Sequence, residues 1–339
     1  AFTGVTQRDP ITNANTTVNT AFYHETTNSR WDILPSFNAL FKIKKNFYYR
    51  ISAARGVSAP RYRDMIPSNR IEYLDPASAI LDPTSDEYIE DLSTSVYRGE
   101  ITSGNIDLQP YTAWMYDNTF ELYSKNGGAF RASIFYKDIK NYIGRQTLVD
   151  QAYPGEELGV PLPAGQESLL FDVSKPINIT DANIYGFGIG FNQHFTFLPG
   201  FAKGFGLKAN YAFVESNFEG AVGDATNGFP GTSKHNFNAT VYFEKYGGSV
   251  RFTAARRSNY LSNLGGIGST RADEAHYTVG NNIYGMSIKY KFFKKLSVSV
   301  GVTNFTSDNT RRYIGDDPKN LTSFFVRNPI WSIGARYSL

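Results

Sequence analysis

Apolar and polar side chains alternate along much of this chain, most plainly in its last stretch, Thr322 to Leu339. Phe325, Trp331, Ile333, Ala335, Tyr337 and Leu339 fall on one face, and Ser332, Gly334, Arg336 and Ser338 on the other. A period of two predicts a strand. Strands of soluble sandwiches hold such a pattern for about 5–6 residues and seldom expose aromatics. This one is long enough, at roughly 9–11 tilted residues, to cross a bilayer.

The same pattern recurs upstream. It predicts strands over Ile33–Ile43, Phe47–Arg55, Trp114–Tyr123, Phe130–Lys137 and Tyr185–Phe195. Further strands follow over Phe205–Val214, Phe237–Phe243, Val250–Arg257, Tyr284–Phe292 and Leu296–Thr303. Val18, Thr20 and Phe22 alternate only weakly. Tight turns fall at 44–46, 126–128, 198–200, 245–248 and 294–295. Long excursions fall at about 56–108, 144–176, 217–231, 262–275 and 306–321. Short and long connections therefore alternate strictly, as they do in membrane barrels with short turns on one side and long loops on the other. Tyr49, Phe187, Phe191, Tyr211, Phe243, Tyr284 and Tyr290 lie on outward faces, where lipid contact and interfacial girdles account for them.

About eleven strands result, and an odd set cannot close into a single-chain barrel, whose strand number is even. Either residues 12–27 add a twelfth strand or the chain continues before Ala1; the second is the expectation.

Composition removes several alternatives. Among 339 residues there is no Cys, which excludes disulfide frameworks and thiolate metal sites. No apolar run reaches the length of a transmembrane helix. A net charge of +3 with scattered Lys and Arg leaves no nucleic-acid footprint. Lysines do gather at the tight-turn end, among them Lys44, Lys45, Lys125, Lys203, Lys245, Lys294 and Lys295, facing anionic headgroups or simply water.

Candidate chemistry is sparse. His24, His194, His235 and His276 are scattered without the spacing of a metal site or a catalytic triad, so no catalytic residue, metal or cofactor is expected and the chain is not read as an enzyme. Asp82, Asp86, Glu87, Glu90 and Asp91 lack the spacing of a calcium loop and read as a solvated segment. Gly186, Gly188 and Gly190 share the polar face of one strand, so they either let something pack closely on the inner wall or curve the sheet. Candidates for ligand contact are Arg61, Tyr62 and Arg63 after a strand end, Arg257 and Asn259 on an inward face, and Asn309, Arg311 and Arg312 in the last loop. Arg, Asn and Tyr together suit a polyhydroxylated or anionic ligand, and loop-to-loop bonding is the plainer use of each.

Five stretches carry a family resemblance. Ser332-Ile333-Gly334-Ala335-Arg336-Tyr337-Ser338-Leu339 resembles the signal by which outer-membrane barrels are handed to the barrel assembly machinery, carried by Gly334, Tyr337 and Leu339, with Leu339 where Phe or Trp is usual. Arg55-Gly56-Val57-Ser58-Ala59-Pro60 and Tyr136 to Ile143 resemble strand-end motifs of TonB-dependent outer-membrane transporters, Asn105 to Thr112 resembles their entry to the next strand with Ile106 in place of the usual Pro, and Val302-Thr303-Asn304-Phe305 resembles their penultimate-strand ending. The resemblance implies an all-β, transmembrane antiparallel β-barrel of about 22 strands around a plug, this chain giving the C-terminal half. It implies a Gram-negative outer-membrane location, lipid contact, and a missing N-terminal barrel half and plug, with a TonB box, on the same precursor or a second chain. It further implies coupling to the TonB complex through that half, and room for a surface lipoprotein. The cargo expected is an oligosaccharide first and a ferric siderophore second. A passive porin and a twelve-stranded structural or secretion barrel are the rivals.

Overall fold

The structure, a computed structural model, describes residues 2–8, 15–21, 30–66, 69–73, 98–152, 170–218, 228–263, 275–293, 295–315 and 317–337. In chain order the first strands are β1 (Phe2–Arg8), β2 (Asn15–Ala21), β3 (Ser36–Lys44), β4 (Phe47–Ser58), β5 (Asn69–Tyr73) and β6 (Arg98–Ser103). Next come β7 (Tyr111–Tyr123), β8 (Ala129–Ala152), β9 (Leu170–His194), β10 (Phe205–Phe218), β11 (His235–Lys245) and β12 (Gly248–Arg257). The last are β13 (Tyr260–Asn263), β14 (His276–Thr278), β15 (Asn281–Phe292), β16 (Leu296–Thr303), β17 (Thr310–Ile314), β18 (Leu321–Phe325) and β19 (Ile330–Tyr337). A four-residue helix, α1 (Tyr62–Met65), and a 3-10 turn at Gly200–Gly204 complete the described elements.

Eleven strands form an antiparallel wall in the order β3, β4, β7, β8, β9, β10, β11, β12, β15, β16, β19, the number and meander that alternation predicts. Register carries the apolar face unbroken from strand to strand. Phe41 opposes Tyr49, Tyr49 opposes Phe120, Phe120 opposes Ala132, and Ala132 opposes Ile189. Toward the far margin Phe252, Met286, Val302 and Trp331 form another such row on the same face. These side chains have no second layer over them: Ile333 is 83% and Ile134 56% exposed. A contiguous apolar band of this extent is covered by lipid. β3 and β19 form the two margins of the wall, both run from the long-loop end to the short-turn end, and neither has a further partner among the described residues.

Short-turn ends are built from local chemistry. In the β11–β12 hairpin Tyr246 and Gly247 have φ of 53° and 78°, the left-handed pair a two-residue turn needs to match the twist of its strands.

Long-loop ends hold more order than periodicity suggests. β8 and β9 pair well past the bilayer-length segment, to Ala152↔Leu170, so the base of the 144–176 excursion is a hairpin. β6 then adds in parallel to β9, followed by β5, β1 and β2. β13, β14, β17 and β18 make a separate four-stranded sheet from the loops after β12 and β16. This cap sheet contributes to a packed apolar cluster: Leu261, Ala275, Tyr277 and Tyr313 are buried together with Ala182 of β9, against Ile139, Tyr142 and Phe229. Register parity puts Ile139 and Ala182 on the face opposite the lipid-exposed row, so the cap leans on the inner side of the β8–β9 hairpin.

Two boundaries differ from the sequence reading. Thr322–Leu339 is not one strand: Phe325 ends β18 in the cap sheet, and the wall resumes only at Ile330, after Pro329, which has no N–H to donate to a ladder. The first wall strand starts at Ser36, because Pro35 meets β4 only through its carbonyl, which accepts from Arg55 N at 3.0 Å.

Candidate functional site

The inner wall is polar, and its charge is uneven. Register places Arg131, Lys137, Lys289 and Arg336 on the face opposite the apolar row. None of the four has an ion-pair or hydrogen-bonded side-chain partner among the described residues. The carboxylates on this face are Asp117, Glu121 and Glu244. Arg50 Nε holds Glu121 at 3.2 Å, and Arg251 holds Glu244. Lys208 rests near the Tyr242 ring, 6.0 Å from its centroid. The surplus is therefore cationic, on a face that also carries Asn, Ser, Thr and Gly with the rings of Phe135 and Tyr242.

The glycine track on β9 separates into two kinds of position. A Cβ on Gly186 would stand 2.0 Å from Phe213 O and 2.8 Å from Phe135 Cζ, so the barrel's own backbone demands glycine there. A Cβ on Gly188 would meet Ser133 Oγ at 3.0 Å, and one on Gly190 would meet nothing closer than Arg131 Cβ at 3.9 Å. Sheet geometry explains Gly186 and leaves Gly190 open toward the interior.

Of the ligand candidates at the long-loop end, Arg257 is bound into the structure. Its Nε donates to Ser233 Oγ, its Nη2 to Gly231 O, and its guanidinium lies 3.8 Å from the Tyr260 ring centroid. Asn259 Oδ1 accepts from Gly280 N at 2.8 Å, and Asn309 Oδ1 accepts from Arg327 N at 2.8 Å. Arg312 packs over Phe325 at 5.3 Å. Arg61 precedes α1, where its carbonyl accepts from Asp64 N at 2.9 Å, and Tyr62 on that helix is 78% exposed. Arg63 follows on the same exposed turn; it is Arg61 that lies close enough to act on Tyr111 and Tyr142, whose rings stack at a centroid distance of 5.7 Å.

Arg311 and Asn309 line a recess of about 600 Å³ with Arg256, Asn282, Tyr284, Phe324 and the 306–308 segment. Arg256 and Asn282 escape the sequence reading; the signal that could have found them is a charged residue interrupting the outward apolar row of β12.

Among the described residues the histidines do not assemble a reaction centre. His194 Nε2 bonds the Lys203 carbonyl at 2.8 Å and His235 Nδ1 bonds Tyr211 Oη at 2.8 Å; His24 and the 82–91 acidic segment lie outside the described residues. Among the described residues no group of three His, Cys, Asp or Glu could hold a metal ion.

The profile of the family described as "TonB dependent receptor-like, beta-barrel" matches residues 5–305. Solved structures with similar folds include a ferric enterobactin receptor of Pseudomonas aeruginosa, at 14% identity and TM-score 0.57, covering 81% of this chain and 35% of that one. A siderophore receptor of Acinetobacter baumannii matches at 16% identity and TM-score 0.59, covering 90% and 41%. The ferric yersiniabactin uptake receptor of Yersinia pestis matches at 12% identity and TM-score 0.52, covering 96% and 38%. The chain thus spans well under half the length of the structures it matches, and no curated protein matches it.

Proposed function

Because the chain belongs to the family of TonB-dependent receptor-like β-barrels, a part of the Gram-negative outer membrane, we propose that it walls an active importer. The cargo is a scarce solute too large for porins. Energy reaches the wall from the TonB complex through a plug, and Gly188 and Gly190 form the strip of wall that the plug lies against. Further strands pair with β3 and β19 to close the cylinder. Gly334 and Tyr337, near the end of β19, present the signal for the assembly machinery; Leu339 lies outside the described residues.

The cargo we favour is a ferric siderophore. The observation that carries this is the unpaired cationic surplus of Arg131, Lys137, Lys289 and Arg336 on the inner wall. Ferric catecholate and carboxylate chelates are anionic, and a cationic lumen raises their local concentration and capture rate. The siderophores named for the similar structures agree with this choice. A neutral oligosaccharide is the second reading, favoured by the exposed Tyr62, whose ring offers a face to sugars.

The decisive experiment uses the receptor that carries this chain, purified from its outer membrane and reconstituted in lipid. Binding of ferric enterobactin and of maltoheptaose is titrated by intrinsic fluorescence at low and high salt. The siderophore reading expects salt-sensitive binding of the ferric chelate, weakened about tenfold by Arg131→Ala with Lys137→Ala. Oligosaccharide binding with no chelate binding would replace it. A large steady ion conductance would instead favour a passive porin.

A further inference from the structure

The recess under the cap sheet opens on the lipid side of the wall rather than into the lumen. Arg256 of β12 pairs in register with Asn282 of β15, on the same face as the exposed Phe252, Met286 and Ile288. Both residues lie at the long-loop end of their strands, where bilayer gives way to the surface. Arg311 enters the recess from the cap above. Two guanidinium groups thus line one groove, one from the wall and one from the cap. Both are exposed, and among the described residues neither has a hydrogen bond or an ion pair. Two cations in one recess repel each other, so an anion between them would stabilise the arrangement.

The rest of the groove specifies which anion. Asp308 is its one carboxylate, and that group is occupied, accepting from Asn282 N. Two guanidinium charges against one carboxylate leave the recess cationic. The loop that carries Asp308 is fixed before any ligand arrives: buried Asn304 accepts from Asp308 N at 2.9 Å and donates to Arg327 O at 3.0 Å. Below the recess, toward the bilayer, Phe252, Tyr284 and Phe305 form an aromatic shelf with centroids 6.1–6.2 Å apart. Cations above an apolar shelf, facing lipid, reproduce the order of a phosphorylated headgroup above its acyl chains. A groove of about 600 Å³ is far larger than one phosphate needs and accommodates a sugar.

We propose that this recess binds the phosphorylated sugar headgroup of a glycolipid in the surrounding outer leaflet, with Arg256 and Arg311 on phosphate and Phe252, Tyr284 and Phe305 against the acyl chains. Arginine suits the role because its planar fork donates to two phosphate oxygens at once.

The receptor that carries this chain is tested in phosphatidylcholine nanodiscs containing diphosphoryl lipid A or its phosphate-free form, and retained glycolipid is counted by native mass spectrometry. The expected result is retention that depends on phosphate, falls about tenfold or more in R256Q/R311Q, and is unchanged in K319Q, outside the recess. If the double variant does not reach the folded, heat-modifiable form on gels, Arg311→Gln alone is used, since it lies in the cap rather than the wall. Equal retention of phosphate-free glycolipid, or unaltered retention in the variants, overturns the proposal. Displacement by glucosamine 1-phosphate at the concentration of lipid A overturns it in favour of a soluble phosphosugar.

Discussion

The guanidinium of Arg257 lies 3.8 Å from the ring centroid of Tyr260, just across the wall's boundary with the cap sheet. Its remaining donors go to Ser233 and Gly231, so one side chain ties three segments together. Arg257→Ala removes a cation–π contact and two hydrogen bonds, roughly 1–3 kcal/mol in all. Hydrogen exchange of residues 228–233 and 258–263 should accelerate while β11 and β12 remain protected. Uniform acceleration along β12 would mean that Arg257 supports the wall itself.

Gly186 and Gly190 should respond differently to the same change. Gly186→Ala forces a Cβ against Phe213 O and should lower the folded fraction, read as loss of the heat-modifiable gel band. Gly190→Ala meets nothing in the wall closer than 3.9 Å and should fold normally. If a plug lies on this strip, a larger residue such as Gly190→Phe impairs uptake while leaving the wall folded.

Ile333 faces Val300 across the β16–β19 ladder on the lipid side, whereas Ser299 faces Gly334 on the other. Ile333→Arg should cost about 2–4 kcal/mol if it sits near the bilayer midplane. Ser299→Arg, directed inward, should cost much less. Denaturant unfolding in lipid vesicles distinguishes the two, and similar costs would contradict the assigned faces.

Tyr246 holds φ at 53° in a turn that prefers Asn or Gly. Tyr246→Asn should stabilise the hairpin by about 0.5–1 kcal/mol. A loss of stability in the same unfolding assay would show that the exposed ring, 4.7 Å from Lys245 Nζ, contributes more than the strain it imposes.

Strand identity was legible because lipid and interior impose opposite chemistry on successive residues, so Val250, Phe252 and Ala254 could be assigned a face from spacing alone. The inward direction of Arg257 followed in the same way. Its partners did not, because Ser233 and Gly231 lie in another loop and no local period encodes that meeting. The cap sheet was illegible for a different reason: its strands have four, three, five and five residues, too few to show alternation. The long β8–β9 hairpin was missed where Asn141, at φ 60°, interrupts the register after Ile139 and resets which side chains share a face. Arg256 interrupts the outward apolar row of β12 with a charge, and only the arrival of Arg311 from the cap gives it a setting.

Because β3 and β19 descend together, a seam joining them would be a parallel one, whether made within one molecule or between two. Two copies inserted with the same sidedness offer each other only descending strands, so self-association cannot complete an antiparallel cylinder. An ascending strand is needed at each margin, and the sealing segment must therefore cross the membrane an odd number of times. Among the described residues neither margin has a second partner strand, and an amide group left unpaired in hydrocarbon costs several kcal/mol. Vectorial sense, more than surface chemistry, decides what can zip onto this sheet.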